Sequence, residues 1–277
     1  MKEILSRNNP LLKHVRQVRD GKETNEIFCE GARLAEEALR SMLSVRNVFV
    51  TEKFTARESG RRIVTECEKR GIAINLLGNK TFDSIADTES SQGIVLIAER
   101  PAHDPGSVSS RLTKADVLPL AIYLSVINNP SNIGAIVRTA EAAGVAGIIM
   151  SPNSADAFSA KAIRASMGSI FRLPVVAGVS FREAADWAVA ESLVLTGAAV
   201  SGKGEYYTAD WSRRRLLVLG SEAHGLDKEV LAGLEETIRI PMASHVESLN
   251  LAVACGILVF EAKRQFAASV EAARRSN

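Results

Sequence analysis

Short apolar runs alternate with amphipathic segments along the whole chain. Within residues 1–100, runs rich in β-branched residues predict strands, and the segments between them repeat apolar residues at helical spacing. Asn8-Asn9-Pro10 can begin a helix that reaches about Asp20. This part of the sequence therefore predicts a small α/β domain. Its strands are expected at residues 26–31, 45–52, 73–77 and 93–100.

Residues 117–277 carry longer apolar runs, most of which are separated by helix-type segments. Near-continuous apolar strands followed by helices are typical of a parallel sheet that is covered on both faces. The last segment, 248–266, predicts a long amphipathic helix. In open parallel sheets, ligands bind outside the carboxyl ends of the strands, so the loops there are where chemistry is expected. Strands are expected at residues 118–127, 146–151, 173–179, 192–200, 214–220 and 237–242.

A stretch rich in proline, glycine and hydroxyl residues separates the two patterns. Residues 101–116 contain Pro101, Pro105 and Gly106, a composition typical of a linker. The predicted organisation is an α/β domain at 1–100, a linker at 101–116 and a parallel-sheet domain at 117–277.

Composition and charge narrow the class of protein only a little. The 277 residues have a net charge of +2, which does not by itself indicate a nucleic-acid binder. No apolar run approaches the roughly 20 residues that span a bilayer, and the start lacks a signal-peptide pattern. Cys29, Cys67 and Cys255 lie far apart without metal-ligand spacing, which predicts buried thiols in a reducing cytoplasm.

The first 22 residues differ from this balance, with six Lys or Arg against two acids. Such a segment is either a solvated helix face or a surface that binds phosphate, and charge alone leaves both open.

Three polar stretches follow predicted strands. In NNPSNIGAIVRTAEAAG, residues 128–144, the apolar residues fall on one side of a helix and Arg138 lies roughly opposite. Ser131 or Asn132 could cap this helix, and Gly144 could end it. Taken alone, the pattern favours Arg138 as a surface residue paired with Glu141.

The second stretch, LVLGSEAHGLDKE at 217–229, places Glu222 just after a strand end. In the third, at 240–261, the strand ends with IPM and a helix opens at Ser248-Leu249-Asn250. Ser248 is a natural N-cap there. Residues 197–203, GAAVSGK, match a P-loop motif except at its last position. Gly204 stands where the motif has a Ser or Thr that binds magnesium.

The three stretches together resemble the SpoU family of RNA methyltransferases. The resemblance rests on N-P-x-N-x-G-x-x-x-R-T-A, then L-G-x-E-x-x-G-L, then I-P-M and S-L-N, in this order. KAIRASMGSIFRLPV at 161–175 resembles the family's connecting segment. SRNNPLLKHVRQV, IFCEGARLAEEAL and SQGIVLIAE resemble the substrate-binding domain often found ahead of it, so the resemblance covers nearly the whole chain.

The resemblance implies a fold, a reaction and a set of residues. The fold would be an α/β parallel-sheet domain with a deep trefoil knot, preceded by a small α/β RNA-binding domain. The reaction would be methyl transfer from S-adenosylmethionine to a ribose 2′-hydroxyl, in a cytoplasmic homodimer that needs neither metal nor membrane. The implied catalytic residues are Asn132, Arg138, Glu222, Ser248 and Asn250. The implied cofactor-binding residues are Thr196, Gly197, Gly220, Ile240, Met242 and Leu249. The residues expected to bind RNA are Asn9, Lys13, Arg16 and Arg33.

The chemistry explains why such residues are needed. The ribose hydroxyl is a weak acid that must lose its proton as it attacks. Arg138 could orient a phosphate and stabilise developing oxyanion charge, or be the base itself. Ribosomal RNA is favoured as substrate, transfer RNA is the alternative, and an antibiotic-resistance role also stays open. A non-catalytic RNA-binding protein and a P-loop nucleotide hydrolase are the rival classes.

Overall fold

The computed structural model describes residues 1–222, 224–243 and 246–275. Its contacts divide the chain into two compact units. The N-terminal unit consists of Met1–Pro101 and Phe158–Arg172, and the C-terminal unit consists of Ala102–Ala157 and Leu173–Asn277. Each unit is described separately below.

The N-terminal unit is an α/β domain around a mixed five-stranded sheet of order β1-β4-β3-β5-β2. Strands β1, β4 and β3 are parallel, whereas β5 runs antiparallel to both β3 and β2. All four strands predicted here form, and a three-residue strand precedes them. The elements of residues 1–101 are β1 Lys2–Ile4, α1 Pro10–Arg19, β2 Glu26–Glu30, α2 Ala32–Arg40, β3 Val45–Thr51, α3 Glu52–Thr55, α4 Glu58–Lys69, β4 Ala73–Leu77, α5 Asn79–Asp83 and β5 Ile94–Glu99.

Helix α1 packs on this sheet through the apolar stripe expected from the sequence. Leu12, Val15 and Val18 are buried in one cluster with residues of β2, β3 and β5. Asn9 begins the helix, because its side chain accepts a hydrogen bond from the Leu11 amide at 2.9 Å. The polar start of α1 is therefore a helix cap.

The C-terminal unit is built on a seven-stranded sheet of order β10-β12-β9-β11-β6-β7-β8, in which every neighbouring pair is parallel. The parallel sheet predicted from the apolar runs is confirmed. From residue 102 onward the elements are α6 Pro105–Leu112, β6 Leu118–Leu124, α7 Pro130–Ala143, β7 Val145–Met150, α8 Ala160–Ser166, β8 Val175–Val176, α9 Phe181–Ala190, β9 Val194–Ala198, β10 Gly204–Glu205, β11 Arg215–Leu219, α10 Lys228–Ala232, β12 Glu236–Arg239 and α11 Leu251–Arg275.

Helices cover the sheet of the C-terminal unit. Helices α6, α9 and α10 bury apolar side chains in one cluster with Tyr123 and Val218 of the central strands. Helix α11 packs along α7 and also contacts β6. The alternate strand residues Leu120 and Ile122 are buried as well. This burial explains why the central strands are apolar at successive positions.

Two segments differ from the predicted domain boundaries. The expected linker contains α6, whose Val108 and Leu112 are buried in the C-terminal core. Its polar residues have structural roles, since Asp104 and Ser107 form a reciprocal capping box. Composition alone suggested a linker because a short capped helix uses the same residue types.

The second difference concerns residues 158–172, which the sequence placed in the C-terminal domain. They belong by contacts to the N-terminal unit, where α8 packs against β2. Two ion pairs hold the segment there, Arg164 with Asp87 and Arg172 with Glu37. A local pattern could not reveal this, because the partners lie 77 and 135 residues away along the chain.

Within the part of the chain that the structure describes, no helix is both long enough and apolar enough to cross a membrane.

Candidate active site

The site lies at the carboxyl ends of the adjacent strands β12, β9, β11 and β6, where ligands of parallel sheets bind. The turn after β6 leads into α7. Asn129 caps this helix by accepting from the Ser131 amide at 3.0 Å, and Pro130 occupies the first helical position. The cap is therefore neither Ser131 nor Asn132, as the sequence suggested. Asn132 keeps its side chain available for other contacts, and Gly144 ends the helix at φ +87° as predicted.

A tight turn after β11 presents Glu222. Ser221 and Gly225 exchange backbone hydrogen bonds at 3.0 and 2.8 Å, and Gly225 has φ +66°. Gly220 must be glycine here, because an added Cβ would lie 2.1 Å from the Gly225 carbonyl oxygen. The exposed carboxylate of Glu222 is thus fixed by a compact backbone at a strand end.

The long helix α11 begins at Leu251. Asn250 precedes it, and its Oδ1 accepts from the amides of Ala252 at 3.0 Å and Val253 at 3.3 Å. Asn250 is therefore the N-cap, whereas the sequence suggested Ser248. Ser248 is exposed in the preceding loop and lines the cleft described below.

Asn132, Glu222 and Asn250 form a hydrogen-bonded triangle. Asn250 Nδ2 donates to Asn132 Oδ1 at 3.2 Å and to Glu222 Oε1 at 3.1 Å. Asn132 Nδ2 also donates to Glu222 Oε1. These residues come from three separate stretches, 90 to 118 residues apart for the bonds to Asn132. Both amide orientations are fixed, and Glu222 Oε1 receives two donors.

Beside the triangle lies a cleft of about 200 Å³. A water molecule takes about 30 Å³ of liquid volume, so the cleft has room for part of an organic ligand. Of the predicted cofactor residues, Gly220, Ile240, Met242 and Leu249 line it, together with Glu222. Its further lining residues are Ala198, Ala199, Val200, Leu219, Ser221, Gly225, Ile238, Ser248, Leu251 and Ala254.

Two predicted cofactor residues lie away from this cleft. Thr196 is fully buried, and its hydroxyl accepts from Arg215 Nη1 at 2.6 Å. Gly197 faces the core, since a Cβ there would lie 2.2 Å from Leu234 Cδ1. The edge of the cleft is formed instead by Ala198–Val200, where β9 ends. Sequence reasoning missed these residues because the apolar run continues past the strand end without any signal.

The near-match to a P-loop has a different structure. Gly204 and Glu205 form a short strand that pairs with β12, whereas a P-loop would open a helix at this point. Gly202 is required by packing, because its Cβ would lie 2.3 Å from the backbone carbon of Ile238. Lys203 is exposed, and its amide donates to Thr237 Oγ1 at 3.3 Å. The loop is therefore a sheet-edge connection.

Arg138 is exposed on α7, six positions after Asn132. It forms no hydrogen bond or ion pair with any residue that the structure describes, including Glu141. The structure thus does not bring Arg138 into the triangle, and the guanidinium retains its donors.

The predicted RNA-binding residues lie in the N-terminal unit. Asn9 caps α1, Lys13 is exposed, and Arg16 donates to the Arg7 carbonyl at 3.1 Å. Arg33 is exposed in the first turn of α2. Asn9 thus has a local structural role as a helix cap, and Arg16 has hydrogen-bond partners within its own unit.

Comparison with known proteins agrees with this geometry. Residues 119–260 match the model of the SpoU rRNA methylase family, and residues 28–103 match the RNA 2′-O ribose methyltransferase substrate-binding model. The chain is 30% identical over 263 residues to the 23S rRNA (guanosine(2553)-2′-O)-methyltransferase RlmP of Bacillus subtilis, covering 94% of this chain and 98% of that protein.

Comparison with solved structures also indicates an RNA methyltransferase. An AdoMet-bound rRNA methyltransferase from Sinorhizobium meliloti superimposes with a TM-score of 0.82 at 28% identity, covering 95% of this chain and 97% of that one. The SpoU methyltransferase AviRb from Streptomyces viridochromogenes, in complex with AdoMet, gives 0.82 at 26% identity, covering 93% and 98%. The chain belongs to the SpoU rRNA methylase family of S-adenosylmethionine-dependent RNA 2′-O-methyltransferases.

Proposed function

We propose that this protein methylates a ribose 2′-hydroxyl of ribosomal RNA. The observation that carries the proposal is the Asn132–Glu222–Asn250 triangle at the edge of the apolar cleft. An amide-and-carboxylate cluster can hold a ribose, because it offers both donors and acceptors in fixed positions. The relative RlmP is named as a 23S rRNA 2′-O-methyltransferase, which supports ribosomal RNA over transfer RNA.

The lining of the cleft suits S-adenosylmethionine. Gly220, Ile240, Met242 and Leu249 would hold the cofactor, because apolar walls suit its adenine and Gly220 allows the tight turn that forms one of these walls. When bound, the cofactor supplies a methyl group that is already electrophilic on a sulfonium. We propose no contact for Thr196 or Gly197, which lie outside the cleft.

The remaining task is to orient the nucleophilic hydroxyl and to stabilise the charge that develops on it. Arg138 suits that task, because a guanidinium remains charged and can bind a phosphate in bidentate fashion. Its exposure leaves the group open to RNA. Glu222 holds Asn132 and Asn250 in orientation, and Ser248 adds a hydroxyl at the cleft edge. We propose these five residues as the catalytic site.

The broader assignments follow from the family. We propose that the N-terminal unit binds RNA and that the C-terminal unit carries out the transfer, within a homodimer whose C-terminal segment threads a trefoil knot. A protein that modifies ribosomal RNA works where ribosomes are made and used, so we propose a cytoplasmic location. Relatives in the family are named for different target nucleosides, guanosine in one and uridine in another.

Ribose-methylation mapping of total RNA, with and without the gene, tests the proposal directly. We expect one ribosomal nucleotide to lose its 2′-O-methyl group in the deletion strain. Complementation with the parent should restore the mark, whereas Arg138→Ala should not. A loss confined to transfer RNA, or no change in any RNA, would overturn the proposal.

Purified protein gives the mechanistic part of the test. Arg138→Ala should lose most methyl transfer yet bind S-adenosylmethionine with unchanged affinity and melt within about 1 °C of the parent, because an exposed residue adds little to stability. Arg138→Lys is the matched control, since it keeps the charge but loses the bidentate fork. Near-normal turnover of Arg138→Ala would return Arg138 to an ordinary surface role.

A further inference from the structure

Two sets of basic residues in the N-terminal unit have different neighbours. Arg62 on α4 and Arg70 at its end face glutamates. Arg62 lies 3.3 Å from Glu58 and 3.8 Å from Glu36, and Arg70 lies 2.6 Å from Glu66. Their charges are therefore compensated by carboxylates that are already in place.

The arginines around α1 have another kind of partner. Arg7 Nη2 donates to the Lys80 carbonyl at 2.7 Å, and Arg16 donates to the Arg7 carbonyl at 3.1 Å and to Ser84 Oγ at 3.4 Å. Arg19 donates to the Ala86 carbonyl at 2.9 Å. Carbonyl and hydroxyl oxygens fix a guanidinium without neutralising it. These contacts therefore order the side chains, and they leave the positive charge of Arg7 and Arg16 available to a ligand, whereas Arg19 is also paired with Asp20.

Two lysines extend this group. Lys13 is exposed on α1, one turn before Arg16, and Lys80 is exposed on α5. We call Arg7, Lys13, Arg16, Arg19 and Lys80 the α1 basic face. The acids on the same elements are Asp20, which pairs with Arg19 at 2.8 Å, and the exposed Asp83. The cations outnumber them.

The loop that receives Arg16 and Arg19 is itself held in place. The buried carboxylate of Glu30 accepts from the Asp87 amide at 2.8 Å and from Thr88 Oγ1 at 2.6 Å, just after Ser84 and Ala86. The face is thus ordered before any partner arrives, which lowers the entropy cost of binding. Fixed cations with unused donors match phosphate oxygens.

We propose that the α1 basic face is the surface of the N-terminal unit that holds the phosphate backbone of the substrate RNA. The proposal rests on the function proposed above. It specifies which surface of the N-terminal unit contacts RNA and which residues form that surface. Helix α1 lies outside the region that matches the substrate-binding family model, which begins at residue 28. Arg62 and Arg70, whose charges are compensated by glutamates, serve as the internal contrast.

The test uses full-length protein and a protein-free 23S rRNA transcript from the same organism. Lys13→Gln with Lys80→Gln removes two exposed charges and no hydrogen bond that the structure describes for these side chains. Each lost phosphate contact should reduce the slope of log binding constant against log salt by roughly 0.7–0.9. Arg62→Gln with Arg70→Gln, which removes the same charge from residues outside the α1 basic face, should leave the slope unchanged.

Methyl transfer provides the second readout. The Lys13/Lys80 variant should raise KM for RNA several-fold, keep kcat within about twofold and leave S-adenosylmethionine affinity unchanged. Rescue by Lys13→Arg with Lys80→Arg would show that charge is the relevant property. An unchanged slope for the lysine variant, or a reduced slope for the Arg62/Arg70 variant, would overturn the proposal. If the parent shows no salt-dependent RNA binding, the proposed function itself fails, which is a distinguishable result.

Discussion

Asn250 performs two tasks with one side chain, and substitution can separate them. Its Oδ1 caps α11, and its Nδ2 donates to Asn132 and Glu222. Alanine removes both functions. Serine restores a good cap acceptor, yet it has no amide that could reach the other two residues.

The two functions have different magnitudes and different readouts. Loss of an N-cap costs about 0.5–2 kcal/mol, typically about 1. For a unit of this size, 1 kcal/mol lowers the melting temperature by roughly 2–4 °C. Asn250 and Glu222 are exposed, so solvent screens their contact and little stability is expected from it. The contact instead fixes geometry, and a displacement of about 1 Å in a reacting site can cost 100-fold in rate.

We therefore expect Asn250→Ala to melt about 2–4 °C below the parent and to lose methyl transfer. Asn250→Ser should melt within about 1 °C of the parent and still be slower by roughly 10-fold or more, because the triangle is broken in both variants. Differential scanning calorimetry gives the first quantity. Single-turnover transfer of tritiated methyl groups, with the enzyme in excess over RNA and at saturating cofactor, gives the second.

The serine variant tests whether capping and the hydrogen-bonded triangle are separate functions of Asn250. If Asn250→Ser transfers methyl groups at the parental rate, the triangle is only a by-product of helix capping. If it is as unstable as the alanine variant, the cap assignment is wrong. Either result would refute the division of labour proposed for Asn250.

Three further predictions concern the cleft and the thiols. Gly220→Ala should lower cofactor affinity by at least about 10-fold, because its Cβ would meet backbone at 2.1 Å, whereas Gly204→Ala, with 3.9 Å to the nearest atom, should be neutral in calorimetric titration. Lys203→Ala should leave cofactor affinity within a few-fold, and magnesium-ATP should show no saturable binding to it; magnesium-dependent nucleotide binding that requires Lys203 would contradict the structure of this loop. Burial raises the pKa of Cys67 to about 11 and of Cys255 to about 12, so both thiols stay protonated at pH 8 and should react with Ellman's reagent only after denaturation.

The strands were predictable because a parallel sheet that is covered on both faces requires continuous runs of apolar residues. Residues 118–124 and 216–219 are apolar and buried almost without interruption, a length of apolar sequence that only a strand or a buried helix explains. Strands β1 and β10 have no such apolar run. They have three and two residues, too few for any periodicity to develop.

Which polar residue caps each helix could not be predicted from the sequence. Asn129, Ser131 and Asn132 are all acceptable caps, and only the backbone conformation selects Asn129. The same ambiguity placed the N-cap of α11 at Ser248 instead of Asn250. Residue types thus predicted a candidate site at these strand ends, but they could not tell which polar side chain stabilises a helix and which one faces the cleft.

Capping and chemistry are linked at both helix starts of this site. At α7 they are divided between neighbours, since Asn129 satisfies the helix and Asn132 is left to bind Glu222. At α11 one residue does both, because Asn250 offers its oxygen to the helix and its amide to the site. A substitution at Asn132 should therefore change transfer with little effect on helix capping, whereas a substitution at Asn250 changes both unless the cap is rebuilt. Rate data at these two asparagines can be compared only when the melting temperatures show that the variants are as stable as the parent.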